Sequence, residues 1–133
     1  MTKERLEAYQ SMREEIEELQ DRLGNLENDE DLMMTDTVLD YSSGRGIPKR
    51  VAGLDQERYW KRKQLYEERA KSLKEDCELI EKWVEQIQDS MTRRIFRMVY
   101  MDGMSQTDVG KKLHLERSGI SKRISEFLKR NSK

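Results

Sequence analysis

The segment Ser90–Arg130 reads SMTRRIFRMVYMDGMSQTDVGKKLHLERSGISKRISEFLKR, and its apolar residues fall into three runs with three- and four-residue spacing. The first run, Ser90 to Met101, carries Met91, Ile95, Phe96, Met98 and Val99 and predicts a helix. Asp102-Gly103 ends it, because glycine accepts the left-handed conformation that closes a helix. Ser105-Gln-Thr-Asp108 has the form of a capping box: the Ser105 hydroxyl can take a free N–H of the next helix, and Asp108 can reach back. That second helix is expected from Gln106 to about Leu113, with Val109 and Leu113 inward and Gly110 leaving room for a close backbone approach. His114-Leu115-Glu116 is the turn. A third helix begins near Arg117 and buries Ile120, Ile124, Phe127 and Leu128.

This spacing matches a helix-turn-helix. Two helices crossing steeply need a small residue at the crossing, here Gly110, and apolar residues such as Leu115 and Ile120 to pin the second helix. The outward face of the third helix would then present Arg117, Ser118, Ser121, Lys122 and Ser125, hydrogen-bonding or cationic types that can reach base edges and nearby phosphates. Arg93, Arg94, Lys111, Lys112, Arg123, Lys129 and Arg130 are candidates for contacts to a DNA backbone. The plain alternative is a three-helix bundle that binds protein.

The same residues resemble the promoter-reading helix-turn-helix of sigma factors, region 4. There an arginine-rich helix precedes a turn like Gly103-Met104-Ser105, followed by a pattern like Asp108-Val109-Gly110, Leu113-His114-Leu115 and Ile120. His114 stands where that turn usually carries glycine, and histidine is enriched among non-glycine residues in left-handed geometry. Glu116 stands where serine is common, which leaves Ser118 as an alternative cap.

Charge is strongly uneven along the 133 residues. Residues 1–40 hold 4 Lys/Arg against 13 Asp/Glu, residues 41–90 hold 11 against 10, and residues 91–133 hold 11 against 4, within a formal net charge of −1. A basic end behind an acidic beginning suggests that the C-terminal part meets nucleic acid and the N-terminal part does not; mutual attraction of the two ends is the alternative. Charged residues make up 40% and hydrophobic ones 35%, which suits elongated helices better than a large globular core. A single cysteine permits no intramolecular disulfide, and no apolar run has the length of a signal core or a membrane span, so the protein is expected to be intracellular.

Upstream of the basic segment, residues 3–26 form a helix with Tyr9, Met12, Ile16, Leu19, Leu23 and Leu26 as a heptad-like seam and an acidic outer face. Residues 55–88 form a long second helix, capped by Asp55, with Tyr66, Ala70, Leu73, Cys77, Ile80, Val84 and Ile87 as a regular seam that Trp60, Leu79 and Trp83 widen. Cys77 reads as a small core residue. Trp60, among Arg58, Lys61, Arg62 and Lys63, could stack on a base but is expected to pack against the loop or the first helix. Residues 27–54 are expected to be an irregular loop, turn-rich around Ser42–Pro48. Gly44-Arg45-Gly46 lacks the spacing and the Lys-Ser/Thr of a phosphate loop; Arg45, Lys49 and Arg50 could touch nucleic acid or simply decorate a linker.

The expected fold class is therefore all-α: a helical hairpin or coiled-coil dimerisation part over residues 1–89, then a three-helix, sigma region 4-like helix-turn-helix over residues 90–133. The whole chain resembles the small late transcription regulators of the ArpU/RinA type, from phages and prophages of low-GC Gram-positive bacteria. The resemblance rests on Asp36-Thr-Val38 with Tyr41-Ser-Ser43, Ile47-Pro48, Val51-Ala-Gly53, Ile80-Glu-Lys-Trp83, Ile87-Gln-Asp89, Arg94-Ile-Phe-Arg97 and Tyr100-Met-Asp-Gly103. It implies a DNA-binding activator of late or packaging genes. Double-stranded DNA is the expected partner, with RNA polymerase as a further possible one, and two copies in a homodimer would place two reading helices on paired half-sites. Two other functions are compatible with the sequence: a small terminase-like DNA-packaging protein, and an adaptor that binds RNA polymerase. Neither a cofactor nor a metal is expected. One histidine and one cysteine, far apart, provide no catalytic or metal-ligand spacing, so the chain is not read as an enzyme.

Overall fold

The computed structural model describes residues 1–29, 32–40 and 47–131. The described residues are predominantly α-helical and form five α-helices: α1 (Lys3–Gly24), α2 (Gln56–Glu85), α3 (Ser90–Phe96), α4 (Gln106–Leu113) and α5 (Arg117–Arg130). A 3-10 turn covers Leu26–Asn28, and α3 runs on into a π-helical turn over Arg97–Met101. Two strands, β1 (Met33–Asp40) and β2 (Ile47–Leu54), pair antiparallel from Met33↔Leu54 to Asp40↔Ile47.

Over residues 33–40 and 47–54 the strand pair corrects the expectation of an irregular loop, and among the described residues it departs from an all-α chain. Thr35, Thr37 and Val38 in β1 and Ile47 and Val51 in β2 are β-branched residues, which favour extended backbone. In a two-stranded pair both strands are edges, the setting in which Pro48 is tolerated despite its missing N–H. The turn-rich residues Tyr41–Gly46, with the proposed contact Arg45, lie outside the described residues.

The chain divides into two compact units, one of Met1–Ile16 with Lys71–Lys133 and one of Glu17–Ala70. The division falls within the long helices α1 and α2. In the Glu17–Ala70 unit, Leu19, Leu26, Leu32 and Ala70 are buried. Asp55 N–H donates to the Leu32 carbonyl at 2.8 Å, and the Asp55 carboxylate caps α2 by accepting from Arg58 N–H at 3.2 Å. Arg62 pairs with Asp29 at 3.3 Å.

In the other unit, Leu6, Tyr9 and Ile16 of α1 share one core with Cys77, Ile80, Val84, Ile87, Ile95, Phe96, Val109, Leu113, Ile120 and Ile124. The seam read along α2 is thus buried at Ala70, Cys77, Ile80, Val84 and Ile87. Trp83 widens it as expected, meeting Phe96 and Phe127 edge-on with ring centroids 5.7 Å apart in both cases. Leu79 and Trp60 do not: they are 56% and 57% exposed. Leu79 lies two residues from Cys77, which turns it to the opposite side of the helix. Trp60 packs instead on its own helix, edge-on to Tyr59 at 5.4 Å, with Lys63 Nζ 4.7 Å from its ring centre.

Candidate nucleic-acid interface

The α4–α5 pair is assembled by short-range chemistry. Ser105 Oγ accepts from Asp108 N–H at 3.1 Å, the expected half of the capping box. His114 closes α4 in the left-handed region, φ 59 and ψ 41, and among the described residues it is the non-glycine residue with positive φ. There it brings Leu115 back under α4, where Leu115 N–H donates to the Gly110 carbonyl at 2.8 Å. A Cβ on Gly110 would lie 2.6 Å from the Leu115 carbonyl oxygen, so only glycine fits this crossing without a backbone shift. Val109, Ile120 and Ile124 are buried, and Phe127 and Leu128 are half-buried beside them.

Glu116 occupies the position before α5 and makes no side-chain cap. Ser118 does not replace it, since its hydroxyl is directed to Glu116 Oε2 at 3.5 Å.

With Ile120 and Ile124 inward, helical geometry puts Ser118, Lys122, Ser125 and Lys129 in the opposite sector of α5. Ser121 flanks that sector on one side, Glu126, Arg123 and Arg130 on the other; Arg117, three and seven residues before Ile120 and Ile124, lies on their side of the helix, in its first turn. Arg117, Ser118, Ser121, Lys122 and Ser125 are all exposed, and Ser118, Ser121, Lys122 and Ser125 share the open side of the helix, while Arg117 stands apart from them. Lys122, Arg123, Glu126 and Arg130 border an open cleft of about 1070 Å³, whose other wall holds Gln88 and Asp89.

The backbone-contact candidates separate into two kinds. Arg94, Lys111, Lys112, Arg123, Lys129 and Arg130 are exposed. Arg93 is half-buried and donates from Nη1 to the Ile87 carbonyl at 2.8 Å, which ties the end of α2 to the start of α3. Asp89 completes that joint: its carboxylate accepts from Thr92 N–H at 2.9 Å and from the Thr92 hydroxyl at 2.7 Å. These two bonds, with the positive charge of Arg123 and Arg93 nearby, hold the Asp89 carboxyl below its ordinary pKa. Arg97 forks onto Glu85 with bonds of 2.9 and 2.8 Å and lowers the Glu85 pKa in the same way.

One supporting residue carried no signal in the sequence. The Gln10 side-chain amide donates to the Tyr100 carbonyl at 3.1 Å and also to the Met101 carbonyl, so α1 supplies donors to the end of the π-helical turn that leads into α4. Gln10 interrupts no pattern and repeats none; only the fold reveals it. Lys49 and Arg50 lie in β2, in the other unit. Cys77 is buried in the core, and burial raises its thiol pKa, away from the reactive thiolate. Among the described residues no group of His, Cys, Asp and Glu could hold a metal ion, and no helix is long and apolar enough to cross a membrane.

Searches of protein-family models, curated proteins and solved structures gave no match to this chain.

Proposed function

We propose that this chain is a DNA-binding transcription regulator of the phage late-activator type, reading duplex DNA with α5. The observation that carries the reading is the α4–His114–α5 arrangement: a left-handed turn residue, a crossing that admits only glycine, and an exposed face of cations and hydroxyls on the second helix. A helix about 10–12 Å across fits the major groove, where such side chains reach base edges. In this reading α3, α4 and α5 form a sigma region 4-like unit, and α1 with α2 form the helical hairpin that supports it. A homodimer would present two reading helices to paired half-sites and double the phosphate contacts, which a single small module needs at physiological salt.

The test is binding of the purified chain to duplex fragments around its own gene across a salt series, with random duplex as competitor. Tight, competitor-resistant binding to one fragment is the expected result. Equal, weak binding to every fragment that disappears with salt would reject sequence-specific regulation and turn attention to RNA polymerase as partner. A ring-sized mass by light scattering, in place of a dimer, would move the reading to DNA packaging.

A further inference from the structure

We propose that Trp60, with Tyr59 and Lys63, forms a second nucleic-acid site, one that stacks an unpaired base of a single strand. The site lies within the Glu17–Ala70 unit and does not depend on the reading of α5.

Trp60 is 57% exposed near the start of α2, although a side chain of its size is usually well buried. The indole meets Tyr59 edge-on at 5.4 Å, and Lys63 Nζ lies 4.7 Å from its ring centre and 6.0 Å from that of Tyr59. Arg62 pairs with Asp29 at 3.3 Å, which ties this turn of α2 to the segment after α1. Lys61 pairs with Glu57 at 2.9 Å on the exposed surface. Residues 56–64, QERYWKRKQ, hold four cations, Arg58, Lys61, Arg62 and Lys63, against the single anion Glu57. An open aromatic side chain thus stands in a net positive stretch outside the helix-turn-helix.

A polyanion matches the charge and a planar π system matches the ring; a nucleic-acid strand offers both in every nucleotide. Stacking on an exposed ring needs a base whose own face is free. Bases in a duplex cover one another, so the ligand is an unpaired base. The contact with Lys63 does not block it. An exposed cation–π contact is worth less than a stacked base, so a base displaces the ammonium from the ring and leaves it for the adjoining phosphate. Three other occupants fit less well. A second copy on a twofold axis would set two positive stretches against each other. A membrane surface needs a broad apolar face, but the residues three and four away from Trp60 are Gln56, Glu57, Lys63 and Gln64. Leu65, the next exposed large apolar residue, is turned about 140° from it around the helix. An acidic peptide satisfies the cations but offers the indole no stacking partner.

The probes are oligothymidylate and oligouridylate, each beside an abasic strand of the same backbone, length and charge. Binding to the full chain is followed by anisotropy of the labelled strand across a salt series, together with tryptophan emission. Wild type, Trp60→Phe and Trp60→Ala are compared, with thermal melts to show that each is folded; substitution at an exposed position should leave the melts unchanged. Wild type should bind a base-bearing strand about tenfold more tightly than its abasic counterpart, with quenched emission. A ratio of that kind on either strand supports the inference and tells DNA from RNA. Trp60→Ala should bring the ratio close to one while leaving abasic affinity and salt slope at wild-type values, because no charge is removed. Trp60→Phe keeps a smaller ring and should keep part of the ratio. Cations elsewhere, those of α5 included, attract both kinds of strand alike, so the ratio reads stacking alone. Equal binding of base-bearing and abasic strands, or a ratio that survives Trp60→Ala, overturns the inference. So does Trp60-dependent binding to anionic phospholipid vesicles or to oligoglutamate with no ratio on any strand. Each of these failures leaves the duplex-reading role of α5 in place, since that role is tested on duplex fragments.

Discussion

The carbonyl oxygen of Leu115 occupies the space next to Gly110, 2.6 Å from where a β-carbon would stand, while the Leu115 N–H donates to the Gly110 carbonyl at 2.8 Å. The two backbones touch in both directions, and this contact sets how α5 leaves α4.

Gly110→Ala should therefore destabilise the chain, although alanine is the better helix former. Helix propensity favours alanine by about 1 kcal/mol. Forcing a methyl against a backbone oxygen costs about 1–3 kcal/mol or more, because the atom in the way belongs to the main chain and cannot rotate aside. The expected net loss is up to about 2 kcal/mol by urea unfolding. An alanine variant as stable as wild type would mean that the crossing is looser than described.

The joint between α2 and α3 should respond to acid. Asp89 has a folded-state pKa below its unfolded value of about 3.9, because Thr92 donates to its ionised form. Its contribution is thus complete above the unfolded pKa and is lost as pH falls through the lower folded value. Asparagine caps nearly as well without titrating, so Asp89→Asn should keep most of the stability at pH 7 and lose less of it as pH falls below about 4. Asp89→Ala removes the cap of α3 and should lower stability at neutral pH. Thermal unfolding of the three chains over that pH range decides it; parallel curves for Asp and Asn would remove Asp89 from the acid response.

Local chemistry was readable from the residues themselves. The Asp55 cap, the Ser105 cap, the left-handed His114, the small Gly110 and the buried seam of α2 each depend on a few neighbours in the chain, and the structure has each of them. What needed the fold was everything set by a distant partner. Trp60 and Leu79 have the right residue type for a core, but exposure depends on which side of α2 is covered. Arg93 has the type of a phosphate contact, but the Ile87 carbonyl holds it. The β1–β2 pairing was obscured because charged residues and a proline interrupt the alternation that marks a strand.

Gln10 offers the sharpest case of a distant contact. Its amide satisfies the carbonyls of Tyr100 and Met101, 90 and 91 residues away in sequence. Gln10→Ala leaves these acceptors to find water and should cost about 0.5–1.5 kcal/mol. Hydrogen exchange offers a local readout: the amides of Asp102 and Met104, which donate to the Arg97 and Met98 carbonyls, should exchange faster in the variant. Unchanged protection at both amides would show that the α1 contact does not brace this turn.

The division among the cations leads to the last prediction. Lys122→Ala, on the outward sector of α5, should relax sequence choice at one position and cost about 1–3 kcal/mol on the preferred duplex, if that side chain meets a base. Arg94→Ala removes an exposed cation from α3 and should weaken all duplexes alike, with the slope of log affinity against log salt falling by about one. Arg93→Ala should differ from both. Its guanidinium ties the Ile87 carbonyl, so the loss should appear first as lower thermal stability of the free protein. Measuring melting temperature and salt slope for the three variants side by side separates these roles. An Arg93 variant with wild-type stability and a reduced salt slope would return that residue to the DNA-facing set.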